Sequence, residues 1–305
     1  MTYDIAFALN QGIVVALLTA MNSVVSNTAR PEKLRFNITV PPDEVALFEE
    51  QIKGAFPDPS FAWRVYPFTP PQFMKDYIHA KYEPMTPTRR VSRYMQYARM
   101  FLKDIFPDVS KVLYLDADVV VVGDVATLFE TVQFTPERYF AAVPHFYPAI
   151  FQFGNPVKAL KEMLAFKQSF NSGVLFTDYT YWDEETDRSF HHYLDWDAAC
   201  KYGMLNRGDE TLLNVMFKDY IQLDRSWNRC GYGNMQVVAR LLKKPLNQIN
   251  VIHWSGGHHK PWKTPRSSTE TSGINTRPRP LLPPTVAPWF RLDYLPVLVG
   301  STGPP

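Results

Sequence analysis

Val112-Leu113-Tyr114-Leu115-Asp116-Ala117-Asp118-Val119-Val120-Val121-Val122 is an apolar run interrupted by two carboxylates two residues apart. Leucines and β-branched valines in such a stretch read as a buried strand. In extended backbone, residues i and i+2 point to the same side, so Asp116 and Asp118 are expected to present their oxygens together at a strand end. Two carboxylates held side by side away from water need a cation, a proton or hydrogen-bond donors. A hard divalent metal is the natural partner for paired oxygen ligands.

The segments around this run alternate in type. Residues 5–9, 34–40 and 62–66 read as strands, and residues 12–26 and 43–53 as helices with an apolar face. That alternation predicts an α/β fold with a mostly parallel central sheet and helices on both faces. Residues 67–87, rich in proline and aromatics, read as a loop over the fold, and residues 92–106 as a helix that ends before Pro107. Downstream, 139–143 and 173–176 read as strands, 183–202 and 209–218 as helices, and 250–254 as a last short strand. From Lys263 proline is frequent and periodicity disappears. The expected organisation is one domain over residues 1–262 and a Pro-rich irregular tail over 263–305.

Composition bounds the function. A chain of 305 residues with 46% hydrophobic content can bury a sizeable core. A formal charge of +2, with 20% charged residues, gives no footprint for nucleic acid or for an anionic membrane surface. Two cysteines, Cys200 and Cys230, make no disulfide framework and no cysteine-based zinc cluster. No basic n-region with an apolar h-region opens the chain, and the apolar stretch 13–21 is too short to span a bilayer. The chain therefore reads as soluble, with no membrane segment, or as a catalytic region whose anchor is missing. Asn37-Ile38-Thr39 fits a glycosylation acceptor, but it falls within an expected strand.

A second segment offers ligands of a different kind: His253-Trp254-Ser255-Gly256-Gly257-His258-His259-Lys260-Pro261-Trp262. It combines an imidazole, a glycine pair that lets backbone approach a ligand, and a lysine. Two carboxylates with one imidazole suit Mn²⁺ better than Ca²⁺, with Mg²⁺ also compatible. A lysine beside such a site suits a diphosphate, as a compact point charge. Trp262 reads as packing rather than as a stacking platform.

Several segments, in order, resemble glycosyltransferase family 8. Asp116-Ala117-Asp118 resembles that family's D-x-D, and His253 to Trp262 its H-x-x-G-x-x-K-P-W. Phe170-Asn171-Ser172-Gly173-Val174 is similar to its F-N-[AST]-G-V, and Tyr97-Ala98-Arg99 to its Y-x-R. Asp209-Glu210-Thr211-Leu212-Leu213-Asn214 resembles its D-Q-D-x-L-N, and Arg225-Ser226-Trp227-Asn228 its R-W-N. The resemblance implies a GT-A catalytic domain over 1–262, a UDP-sugar donor, a hydroxyl acceptor, Mn²⁺, and transfer with retention at the anomeric carbon. It implies Asp116, Asp118 and His253 as metal ligands and Lys260 on the donor diphosphate, with Gly256 allowing close approach. Arg99, Asn171 and Gly173 would border the donor sugar, and Ala8 and Asn10 the nucleoside. Asp209 and Glu210 would be the catalytic carboxylates.

The chain departs from the family pattern at four places. Glu210 stands where the family has glutamine, Asn10 where it has aspartate, and Ile13 where it has an aromatic. One extra residue separates His253 from Lys260. Two other readings follow from the same residues. In a haloacid-dehalogenase-like phosphatase Asp116 would be the nucleophile, although that motif usually opens its chain. A nucleotide-sugar binder without turnover would explain the altered positions. Ala287-Pro288-Trp289-Phe290 resembles the C-terminal region of secretory-pathway members, including galacturonosyltransferase-like proteins. That implies the Golgi lumen, with a cytoplasmic, glycogenin-like location as the alternative.

Overall fold

A computed structural model describes residues 1–166, 168–231, 248–256, 260 and 262. The chain runs β1 (Tyr3–Ala8), α1 (Val14–Asn27), β2 (Leu34–Val40), α2 (Val45–Ala55), β3 (Ala62–Pro67), α3 (Gln72–Tyr82), α4 (Pro87–Tyr97), α5 (Leu102–Ile105), β4 (Lys111–Leu115) and β5 (Val119–Val121). It continues with α6 (Ala126–Thr131), β6 (Phe140–Pro144), α7 (Leu160–Leu164), β7 (Phe170–Asp178), α8 (Glu184–Ala199), α9 (Asp209–Met216), β8 (Ile221–Gln222) and β9 (Val251–His253).

Seven strands form one sheet in the order β3-β2-β1-β4-β7-β6-β8. Pairing is parallel from β3 through β4 and between β6 and β8, while β7 runs antiparallel to both neighbours. The side-chain period of two splits each central strand between two cores. Ile5 and Phe7, Leu113 and Leu115, and Val174 and Phe176 join α1, α2 and α6 on one face. Ala6, Val112, Tyr114 and Leu175 join α3, α8 and α9 on the other. Helices thus cover both faces of a mostly parallel sheet, as the alternation predicts.

Three expectations change in detail. The run 112–122 is two strands rather than one. β4 ends at Leu115, Asp116 N donates to Gly173 O at 2.8 Å, and residues 117–118 turn the chain out of the sheet. β5 then pairs antiparallel with β9, with Val119 opposite His253. The expected loop 67–87 contains α3, whose N-cap is Pro71 and which stops before Glu83-Pro84. A proline before the first turn sacrifices no helical N–H bond, so proline flanks this helix without breaking it. The expected helix 92–106 is α4, a tighter turn over Ala98–Met100, and α5. Asn37 is fully buried in β2, so the glycosylation triplet is a chance match in the folded chain. Trp262 packs against the core on the α1 face. The tail 263–305, His258 and His259 lie outside the described residues.

Candidate active site

The departure of β5 from the sheet builds the site. It places Asp116 at the carboxyl end of β4 and His253, the last residue of β9, beside Asp118. His253 Nε2 lies 3.2 Å from Asp118 Oδ1 and 3.8 Å from Asp116 Oδ2. Ligand atoms of the three residues all lie within 4.8 Å of one another. The imidazole is buried, and its Nδ1 meets Asn228 Oδ1 at 2.8 Å, leaving Nε2 turned toward the carboxylates. Lys260 Nζ donates to Asp118 Oδ2 and to Trp254 O. Burial works against ionisation of Asp118, but His253 and Lys260 outweigh it and hold the carboxyl below its usual range. Burial likewise opposes a proton on His253, and Asp118 overrides it. The field that attracts that proton would equally attract a cation, and the two would compete.

Gly173, on β7, makes this convergence possible. A Cβ there would stand 2.2 Å from His253 Cε1 and 2.9 Å from Asp116 Oδ2. No other residue type leaves room for both ligands. The two carboxylates, the oriented imidazole and the glycine cradle together fit a divalent cation that takes mixed oxygen and nitrogen ligands.

Arg99 ties the metal wall to a second pair of carboxylates. It donates to Asp116 Oδ1 at 3.0 Å and to Ser172 O at 2.7 Å. Its Nε sits 3.1 Å from Asp209 Oδ2 while donating to Gln96 O. Burial, reinforced by Asp116 and Glu210 against the opposing Arg99, pushes Asp209 up to about 6. Glu210, its neighbour at the start of α9, behaves in the opposite way. Its Oε1 faces His145 Nε2 at 3.2 Å and accepts from Gln152 Nε2 at 3.1 Å. Its Oε2 accepts from Asn171 Nδ2 at 2.9 Å. Burial opposes ionisation, but His145, Gln152 and Arg207 lower its pKa and favour the carboxylate. Asn171 Oδ1 in turn accepts from Asn228 Nδ2 at 2.8 Å, so two amides link Glu210 to His253.

α9 is delivered by a sharp bend. Gly208 has φ +63°, and a Cβ there would meet Tyr82 Oη at 2.6 Å. Asp197 fixes the preceding loop, accepting from the N–H groups of Met204 at 2.7 Å and Leu205 at 3.0 Å.

A cavity of about 640 Å³ opens on this constellation. Its lining brings together Arg99, Asp116, Asp118, Asn171, Asp209, Glu210, His253, Gly256 and Lys260 of the residues expected from sequence. Gly173 lies behind the lining, against the ligands. Ala8 ends β1, Asn10 lies two residues beyond it, and neither is among the residues that line the cavity. Asn10 Oδ1 caps the turn before α1 by accepting from Gly12 N, and its Nδ2 donates to Ser92 at 2.9 Å. The lining also includes Gln96, His145, Tyr147, Arg207 and Cys230, which the sequence reading does not single out. His145 had a usable signal: it follows β6, and the carboxyl ends of sheet strands are where α/β folds bind ligands. Both cysteines are free.

Residues 4–265 match the family described as Glycosyl transferase family 8. The chain belongs to this family. "Probable galacturonosyltransferase-like 4" of Arabidopsis thaliana is 27% identical over 268 residues, covering 85% of this chain and 72% of the relative. A solved structure of an active-site mutant of LgtC aligns with a TM-score of 0.62 at 18% identity, over 88% of this chain and 92% of that one. A galactosyltransferase LgtC in complex with donor and acceptor sugar analogs aligns at 0.60 and 22% identity, over 85% and 89%. At such identities the likeness is one of fold, and the fold is GT-A. As a family 8 glycosyltransferase the chain is an enzyme of glycosyl transfer, and the phosphatase reading of Asp116 gives way.

Proposed function

We propose that this glycosyltransferase moves a hexosyl or related group from a UDP-sugar to a hydroxyl acceptor, with retention and with Mn²⁺ support. The observation that carries the reading is the convergence of Asp116, Asp118 and His253 on one wall of the cavity, with Lys260 against Asp118. Those three residues would hold the cation, which supplies Lewis-acid stabilisation of charge on the departing diphosphate. Lys260 adds a fixed ammonium for the same charge, so the leaving group needs no proton donor. Gly256 borders the diphosphate. Arg99 and Asn171, both on the cavity wall, would border the donor sugar; Gly173, Ala8 and Asn10 lie outside the lining, and their donor contacts rest on the family resemblance.

Glu210 stabilises positive charge that develops on the sugar carbon. It is ionised, buried and held by donors on both oxygens, so it faces that charge without reorganising. Asp209, protonated more readily, anchors Arg99 and through it Asp116. The acceptor hydroxyl would attack on the face that the leaving group vacates, its oxygen bonding to the anomeric carbon as the bond to the diphosphate oxygen breaks and its proton passing to that departing oxygen.

The test is UDP release from UDP-glucose, -galactose, -xylose and -galacturonic acid, with and without Mn²⁺, and with Asp118→Ala as control. Mn²⁺-dependent release that collapses in the variant is expected, and equal release by Asp118→Ala would overturn the metal assignment. Rapid-quench trapping of a glycosyl-enzyme on Glu210 would replace its stabilising role with a nucleophilic one.

A further inference from the structure

The connection from β6 to β7 carries apolar side chains on the outside of the molecule. Among the described residues nine large hydrophobic side chains are exposed, and six belong to this connection: Phe146, Ile150, Phe151, Val157, Leu160 and Leu164. Val157 is 84% exposed and Leu164 78%, and it is the grouping of such side chains on one connection that marks an interaction surface. Around α7 the inward side is apolar as expected, with Ala159 fully buried and Met163 packed on the core. The outward side is apolar too, since Val157, Leu160 and Leu164 recur at helical spacing.

Charge on this turn is sorted by direction. Glu162 is the acidic residue of residues 155–166, and it faces inward, where Oε2 accepts from Tyr193 Oη at 3.0 Å and pairs with Lys218. Lys158 and Lys161 stand exposed beside the apolar positions. The whole-chain charge of +2 conceals this local bias. Aliphatic side chains flanked by lysines match the boundary between acyl chains and anionic headgroups, where lysine stems lie along the apolar layer and ammonium groups reach phosphates.

We infer that the turn around α7 docks this protein on an anionic lipid surface, with Val157, Leu160 and Leu164 in the headgroup–acyl boundary and Lys158 and Lys161 among the phosphates. The connection is fastened to the site. Phe146 and Tyr147 line the cavity, buried Gln152 donates to Glu210, and Thr211 Oγ1 donates to Gln152 O at 2.9 Å. Docking would therefore set the cavity beside the membrane, where an acceptor carried on a lipid would be met. That consequence rests on the transferase reading above, and the docking itself does not.

The experiment is flotation of the full chain with vesicles of phosphatidylcholine plus phosphatidylglycerol, against vesicles of phosphatidylcholine alone. Wild type is expected to float with the mixed vesicles, less with the neutral ones and less at high salt. Leu160→Ser/Leu164→Ser and Lys158→Glu/Lys161→Glu should each lower vesicle affinity by about tenfold or more, with UDP release into water unchanged. Wild type that stays in the soluble fraction at low salt overturns the inference. So does flotation that neither double variant weakens, which would place lipid contact elsewhere in the chain. A dimer in sedimentation that both variants dissociate, without vesicle binding, would instead make this face a contact between two copies. Absence of any UDP release leaves the flotation readout intact and counts against the transferase reading alone.

Discussion

Gly173→Ala tests the site's geometry most directly. The added methyl would stand 2.2 Å from His253 Cε1, 2.9 Å from His253 Nδ1 and 2.9 Å from Asp116 Oδ2. Non-bonded carbons rest near about 3.5 Å or beyond, so the ring or the strand must retreat by about 1.3 Å. β7 is the worse candidate to move: although residues 172–174 bulge out of register with β6, the β4 side holds this stretch through Leu115 opposite Val174, and Gly173 O accepts from Asp116 N. His253 sits at the end of a three-residue strand, so the ring gives way and the three ligands part. Overpacking of this kind costs about 1–3 kcal/mol of stability. Loss of ligand geometry should weaken Mn²⁺ binding by about 10–100-fold, and a displacement of about 1 Å should slow UDP release by about 10²-fold. Calorimetric titration of Mn²⁺ without nucleotide, UDP release and urea unfolding read the three effects separately. A folded Gly173→Ala protein with wild-type Mn²⁺ affinity would refute the cradle.

Three further outcomes follow from buried polar groups. Asn228→Ala removes the acceptor at His253 Nδ1 and should weaken Mn²⁺ binding by about 10–100-fold while the fold survives; titration with unchanged affinity would show that the ring is oriented by packing alone. Asp209 ionises at about 6 in the folded chain against about 3.9 in the unfolded one, so the folded state holds the extra proton between those values. The contribution of Asp209 to stability should fall as pH rises from about 4 to about 6 and then level off, against the rising contribution of carboxylates such as Glu210 whose pKa is lowered. Asp209→Asn should flatten that slope in urea unfolding, and an unchanged slope would contradict it. Asp197, fully buried, pairs with Lys81 at 2.5 Å and accepts from Tyr77 Oη at 2.6 Å. Asp197→Ala leaves a buried ammonium without its counter-charge and should cost about 3–5 kcal/mol; a loss under about 1 kcal/mol in the same assay would mean that Lys81 finds water.

The metal wall is legible in the sequence because its residues are chemically out of place. Two aspartates among valines and a histidine beside glycines and a lysine have few purely structural explanations. Their convergence is not legible, because it depends on β5 leaving the sheet to pair with β9, more than a hundred residues later. The turn at 117–118 carries no glycine or proline to punctuate the apolar run, so 112–122 reads as one strand. α3 is hidden by prolines that flank it rather than interrupt it. The surroundings of Glu210 are also invisible locally: its donors come from His145, Gln152 and Asn171, which lie 65, 58 and 39 residues away. The lysine bias at α7 vanishes into an average, since composition sums charge over the chain and a membrane would meet only one turn of it.

The chain of amides gives the departure at position 210 a consequence beyond its own charge. An ionised carboxylate can only accept, so Asn171 must turn its Nδ2 toward Glu210 and its Oδ1 away. Oδ1 then needs donors, and Asn228 Nδ2 and Gly173 N supply them. That fixes Asn228 with its own Oδ1 toward His253, where Nδ1 must carry the hydrogen. Nε2 is then the nitrogen that faces Asp116 and Asp118: it carries the proton that Asp118 attracts, and a cation that displaces that proton would find the nitrogen a metal ligand requires. A glutamine at 210 could present either oxygen or NH₂ to Asn171 and would impose no such direction. Gly173 N, which can only donate, holds Asn171 in the same direction, so the glutamate reinforces through two asparagines which nitrogen of His253 is offered to the cation. Neutralising it should loosen the metal site as well as remove charge beside the donor sugar.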